Sequence, residues 1–77
     1  AEGYNTIGSI HFQMQELDSA LQAYRKALTI LQQIAPDHED LAATYNNVGL
    51  TLHHLQKYPE SLDHYRQSRQ ILEESYG

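Results

Sequence analysis

The chain has 77 residues, no cysteine and a formal net charge of −5, with ten acidic against five basic side chains. This length forms one small domain with a modest core, and the lack of cysteine excludes disulfides and thiolate–zinc sites. The acidic balance disfavours a nucleic-acid partner, and no apolar run approaches the roughly 18 residues of a membrane span, so we expect a cytoplasmic protein without membrane contact.

The first half of the chain reads as two helices. Apolar and aromatic residues at helical spacing predict a helix over 2–15, with Tyr4, Ile7, His11 and Met14 on one packed face. A longer stripe predicts a second helix over 18–34, for which Asp18 is a plausible cap. The apolar positions of this stripe are Leu17, Ala20, Leu21, Tyr24, Ala27, Leu28, Leu31 and Ile34.

The second half repeats this pattern after a break. Pro36 interrupts the second stripe because proline lacks the backbone N–H, and Asp37 can cap the helix that follows. We expect helices over 39–55 and 59–75, with Pro59 in the first turn of the latter. Their apolar positions are Leu41, Tyr45, Val48, Leu52 and Leu55, then Tyr58, Leu62, Tyr65 and Leu72.

The two halves align with each other at a shift of 41 residues, where 10 of 36 aligned pairs are identical and several fall in blocks. Such internal similarity predicts a stacked-repeat protein. We therefore expect an all-α fold, in which two antiparallel helix–turn–helix repeats, 1–36 and 37–77, stack as a fragment of an α-solenoid. Gly8 and Gly49 are equivalent and lie mid-helix, where glycine is unfavourable, which indicates a close crossing with the small residues Ala20 and Ser61.

The spacing of these residues resembles the signature of the tetratricopeptide repeat. The first unit carries Tyr4, Ile7-Gly8, Ala20, Tyr24 and Ala27, and the second follows with Tyr45, Val48-Gly49, Leu52, Ser61, Tyr65 and Ser68. His11, Ser61 and Ser68 depart from the residue types usual at their positions. The 41-residue period is longer than the common 34 and is similar to the kinesin-light-chain type of repeat.

The resemblance implies a concave groove lined by the first helix of each hairpin, which binds a peptide or partner segment. Carried over position by position, the partner-binding residues are Asn5, Ser9, Phe12 and Gln13, then Asn46, Asn47, Leu50, His53 and His54. Asparagine amides donate and accept, so they can hold an extended peptide by its backbone. Tetratricopeptide repeats that grip a C-terminal carboxylate use cations on the first helices, which are absent here; Asn47 alone matches that clamp.

Neither catalysis nor a cofactor is expected. The sequence has no phosphate-binding glycine loop and no cysteine nucleophile, and its five histidines show no metal-binding spacing. The favoured function is a non-enzymatic protein-interaction module from a longer scaffold. Two alternatives remain: a regulatory or sensor arm of a multidomain enzyme, and a self-assembling structural unit. Apolar residues left at both ends of a two-repeat stack further predict that copies associate end to end or exchange hairpins.

Overall fold

The computed structural model describes residues 2–34 and 39–76, and all regular structure in them is α-helical. The four helices are α1 (Glu2–Gln13), α2 (Leu17–Ile34), α3 (Glu39–His54) and α4 (Tyr58–Tyr76). In chain order each helix packs against the next, which confirms the all-α class of the sequence analysis. The expected break at Pro36 and cap at Asp37 lie outside the described residues. None of the described helices has the length and apolar character needed to cross a membrane.

Both hairpins turn on the same backbone motif. The Glu16 N–H donates to the His11 carbonyl at 2.8 Å and the Gln15 N–H to the Phe12 carbonyl at 3.0 Å, with Gln15 left-handed at φ 62°. These two bonds are those of a Schellman turn, which satisfies the last carbonyls of a helix. The residues 41 positions later form the same two bonds around Gln56, whose φ is 65°.

This turn changes the expected start of the second helix. Because Gln15 reverses the chain, α2 begins at Leu17, and the Ala20 N–H already donates to the Glu16 carbonyl at 2.9 Å. Asp18 therefore lies inside the first turn, and its assignment as the cap is wrong. Its carboxylate still complements the positive end of the helix dipole. Pro59 occupies the first turn of α4, as expected.

The two mid-helix glycines make room for tyrosine rings. A Cβ atom placed on Gly8 would lie 2.6 Å from Cε1 of Tyr24, and one placed on Gly49 would lie 2.9 Å from the ring of Tyr65. Both distances are shorter than real Cβ contacts. The two equivalent glycines thus serve equivalent purposes, and the group that each admits is an aromatic ring from the following helix.

The core joins the two hairpins. Buried residues of α2 and α3 form one cluster, against which partly buried Phe12 and Leu55 pack; its members are Ala20, Leu21, Tyr24, Val48 and Leu52. Helices α1 and α4 have a helical neighbour on one side, so part of each expected apolar stripe stays in solvent. The expectation of a packed position is wrong for Ile7 and Met14, which are exposed. The apolar positions Ile34, Tyr58, Leu62 and Leu72 of the later stripes are exposed as well, and exposed apolar residues at the ends of the stack were expected.

Candidate partner-binding surface

Helices α1 and α3, the first helices of the two hairpins, meet through a pair of rings. The Phe12 ring and the His54 imidazole touch edge to face, with their centroids 5.1 Å apart. Phe12 is half-buried because its other side packs on the core cluster, whereas His54 is exposed. The contact therefore ties a solvent-facing histidine of the second hairpin to a fixed aromatic ring of the first.

The rings continue beyond this pair. His53 lies edge-on to His54 at 6.0 Å between centroids, and its other neighbour is Tyr58, at 5.1 Å. We call Phe12, His54, His53 and Tyr58 the ring row. Edge-to-face packing suits these rings because the positive edge of one meets the negative face of the next. His54, His53 and Tyr58 of the row are exposed, so ring faces and imidazole nitrogens lie open to solvent.

A cleft of about 280 Å³ opens beside the first pair of the row, lined by Phe12, Gln15, Leu17 and His54. Phe12 and Leu17 give it apolar walls, and the Gln15 amide and His54 imidazole add hydrogen-bonding groups. Gln15, Leu17 and Tyr58 are not among the residues predicted for this surface from the sequence. The repeat carried a signal for them, since Leu17 and Tyr58 are equivalent under the 41-residue shift and each follows the C-terminal turn of a first helix.

The asparagines of α3 differ in exposure. Asn46 is exposed, and its side chain has no hydrogen bond to another described residue; Asn47 is half-buried, and its backbone carbonyl accepts from the Thr51 hydroxyl at 2.8 Å. Leu50 lies one turn beyond Asn46 and is 37% exposed. An open amide and an apolar side chain thus lie next to each other on the same helical face.

The remaining predicted positions belong to α1. The Ser9 hydroxyl is within 3.1 Å of the Tyr24 hydroxyl, so this side chain already has a partner inside the hairpin. Gln13 is exposed. Asn5 lies in α1, but its side chain is outside the described part of the structure. The structure therefore brings Phe12 and His54 together. Asn46 and Leu50 precede His54 on the exposed side of α3, and Ser9 contacts Tyr24 inside the first hairpin.

Charge on this surface is sparse. No lysine or arginine lies in α1 or α3, and the basic side chains are Arg25, Lys26, Lys57, Arg66 and Arg69. Within the described residues no group of three histidine or acidic side chains has the arrangement to hold a metal ion. The described side chains of this surface are mainly aromatic, aliphatic, amide and imidazole groups.

Comparison with known proteins gives one family. The family model described as tetratricopeptide repeat matches residues 1–74. No curated protein and no solved structure shows significant similarity to the chain.

Proposed function

The chain belongs to the tetratricopeptide repeat family, whose members are generally protein–protein interaction modules, and on this premise we propose that it binds an extended segment of a partner protein across α1 and α3. The observation that carries the proposal is the contact of Phe12 with His54 beside an open cleft, because one ligand lying there touches both hairpins. Ligands that span two structural units gain contacts from each without ordering new protein structure.

The polar part of the ligand would lie on α3. The Asn46 amide can donate to a backbone carbonyl and accept from a backbone N–H, as binding of an extended chain requires. Leu50 supplies an apolar neighbour one turn away. Asn47 contributes less in this proposal because it is half-buried.

The cleft would accept one apolar side chain of the partner. Its walls are Phe12 and Leu17, and an aromatic side chain can stack there while a polar group on it reaches Gln15 or His54. A partner that presents a C-terminal carboxylate is disfavoured, because α1 and α3 carry no lysine or arginine to pair with it.

The type of repeat, its bounds and its cellular setting are further parts of what we propose. The 41-residue spacing of equivalent residues favours the long-period, kinesin-light-chain-like type of repeat, with one repeat in 1–36 and the other in 37–77. The module would act without catalysis in a cytoplasmic scaffold. A regulatory or sensor arm of a multidomain enzyme is the alternative setting, and it would use the same surface.

A displayed library of random dodecapeptides tests the proposal. We expect selected peptides to shift the backbone amide resonances of Asn46, Leu50 and His54 in two-dimensional NMR spectra. Asn46→Ala should weaken binding about threefold to tenfold, the effect of one net hydrogen bond. Gln33→Ala is the matched control, because Gln33 is an exposed amide on α2, away from the surface. Selected peptides that shift α2 and α4 instead, or a library that yields none, would contradict it.

A second function is supported by a different observation. The outer faces of α1 and α4 keep large apolar residues in solvent, among them Ile10 and Leu62, each about half exposed. Such surface favours association. We therefore also propose that copies of the chain associate end to end, through faces that do not include the peptide surface. Further repeats of a longer scaffold would stack on the same faces.

A further inference from the structure

The molecule already contains one interface between hairpins, formed by α2 and α3. On the α3 side, Val48 and Leu52 are fully buried in the core cluster. The 41-residue shift relates Val48 to Ile7, which is 45% exposed on α1. It also relates Thr51, fully buried, to Ile10, which is 51% exposed. The outer face of α1 therefore has residues of the α3 half of this interface, and none of the described helices covers it.

The outer face of α4 is the counterpart of α2. Leu21 is 7% exposed in the interface, whereas its equivalent on α4, Leu62, is 50% exposed. Leu31 and Leu72 are related in the same way, at 4% and 39%. One chain thus carries both halves of an interface of known geometry on opposite ends, and the halves cannot meet within one molecule because two further helices separate them.

Two polar residues interrupt this correspondence. His11 stands at the position equivalent to Leu52, and its Nδ1 lies 3.0 Å from the Glu16 carboxylate. Arg69 stands at the position equivalent to Leu28, and its Nε donates to Glu73 at 2.9 Å. Burial of either side chain removes water from a polar group, which opposes association. His11 belongs to one end face and Arg69 to the other.

We infer that a second copy of the chain stacks head to tail, with the α4 face of one copy on the α1 face of the next, and that His11 and Arg69 keep this association weak. This inference rests on the end-to-end association proposed above. It adds which face meets which, and which residues weaken the contact. The interface is heterologous, because two different faces meet. Each end of a stack therefore keeps one unused face, to which a further copy can add.

Two equivalent clefts, one between the hairpins and one on the outer face of the first hairpin, support the same alignment of stacked copies. Leu28 and Gln32 of α2 share a cleft of about 260 Å³ with Asp63, His64 and Gln67 of α4. The equivalents of the latter three are Gln22, Ala23 and Lys26, which line an open cleft of about 210 Å³ on the outer face of the first hairpin. In the stack, Arg69 and Glu73 would face this cleft. Glu73 then meets the opposite charge of Lys26, whereas Arg69 meets a like charge, which fits its opposing role.

The strength of association is tested by sedimentation velocity over a concentration series. The His11→Leu and Arg69→Leu variants should each raise the association constant about tenfold, since leucine occupies both positions in the existing interface and its burial favours contact. The controls are Gln33→Leu and Arg25→Leu, which place leucine at exposed polar positions of α2. Arg25 is exposed although α3 covers α2, so its position lies outside the stacking interface. Neither control should change the association constant by more than about twofold.

The polarity is tested with two charge variants that each block one face. Ile7→Glu blocks the α1 face and Leu62→Glu blocks the α4 face, and both sites are about half exposed, so the fold should persist, as circular dichroism can check. Made in the His11→Leu, Arg69→Leu background, each variant alone should sediment as a monomer. An equimolar mixture should form a one-to-one dimer, because each copy retains the face that the other needs.

The outcomes separate the two levels of the proposal. Self-association that survives in either single charge variant would overturn the head-to-tail arrangement, since a symmetric α1–α1 or α4–α4 contact needs only one face. Leucine variants that associate no better than their controls would overturn the role of His11 and Arg69. If every variant stays monomeric at millimolar concentration, the inference and the end-to-end association both fail, while peptide binding is measured independently.

Discussion

The two hairpins make the same helix crossing with different hydrogen bonds. In the first, Tyr24 fills the notch at Gly8 and its hydroxyl lies 3.1 Å from the Ser9 hydroxyl, while Ala20 lies at the position equivalent to Ser61. In the second, the buried Ser61 hydroxyl donates to the Gly49 carbonyl at 2.7 Å. The glycine and the ring thus define the crossing in both hairpins, whereas the hydrogen bond that accompanies them differs.

Substitution of the two mid-helix glycines should destabilise the protein most. Gly8→Ala should lower the free energy of unfolding by about 1–2 kcal/mol, because overpacking against the buried Tyr24 ring outweighs the better helix propensity of alanine. Gly49→Ala should have the same sign, since the added Cβ also lies 3.2 Å from the backbone oxygen of Ser61. Urea unfolding followed by circular dichroism measures both.

The control for the glycine prediction is Ala43→Gly, which removes a methyl group from an exposed mid-helix position of α3. It should cost about 1 kcal/mol through helix propensity alone. If Gly8→Ala instead stabilises the protein by a similar amount, the ring does not restrict the notch, and the proposed equivalence of the two crossings fails.

An intermediate effect is expected from exchanging the small residues. Ser61→Ala removes the donor to the Gly49 carbonyl and should cost about 1 kcal/mol, the net value of a buried hydrogen bond. The reverse change, Ala20→Ser, should be nearly neutral if the Gly8 carbonyl can accept as the Gly49 carbonyl does. Thermal unfolding of the two variants and of the double exchange measures this. A loss above about 2 kcal/mol for Ala20→Ser would show that the two crossings are not interchangeable.

The smallest effect is expected at the turns. Gln15 and Gln56 have left-handed backbones, in which a Cβ atom is unfavourable, so Gln15→Gly and Gln56→Gly should each stabilise the protein by about 0.5 kcal/mol. The gain is limited because glycine also loses more conformational freedom on folding. Equal midpoint shifts in urea are expected for the two variants. Destabilisation by either would indicate that the glutamine side chain contributes more than its backbone costs.

The sequence predicted the helices and the special role of Gly8 and Gly49 because both follow from spacing within one chain segment. The group that packs against each glycine was harder to predict. The small residue Ala20 suggested that two backbones lie close together, whereas the ring of Tyr24 lies against Gly8. The turn at Gln15 was also missed, since no glycine marks its left-handed residue. Apolar periodicity shows that Ile7 and Met14 share a face but not whether a neighbour covers it.

For the candidate surface, the sequence predicts which face of each helix is exposed but not which residues of the two hairpins meet. Helical geometry places Asn46 and Leu50 on a common face of α3, where both side chains are exposed. That this face binds a partner stays a prediction. The contact between Phe12 and His54 depends on the angle between the two hairpins, which no local pattern encodes. Leu17 joins the cleft for the same reason. Residues that meet across two repeats are therefore the ones that sequence reasoning finds last.

The tyrosine ring seated against Gly8 has a mechanical consequence. Sliding one helix of the hairpin along the other by a turn, about 5.4 Å, would force that ring onto residues that carry side chains, so it acts as an axial stop. Because Tyr65 and Gly49 form a second stop of the same kind, the axial register of the paired helices is held in both hairpins.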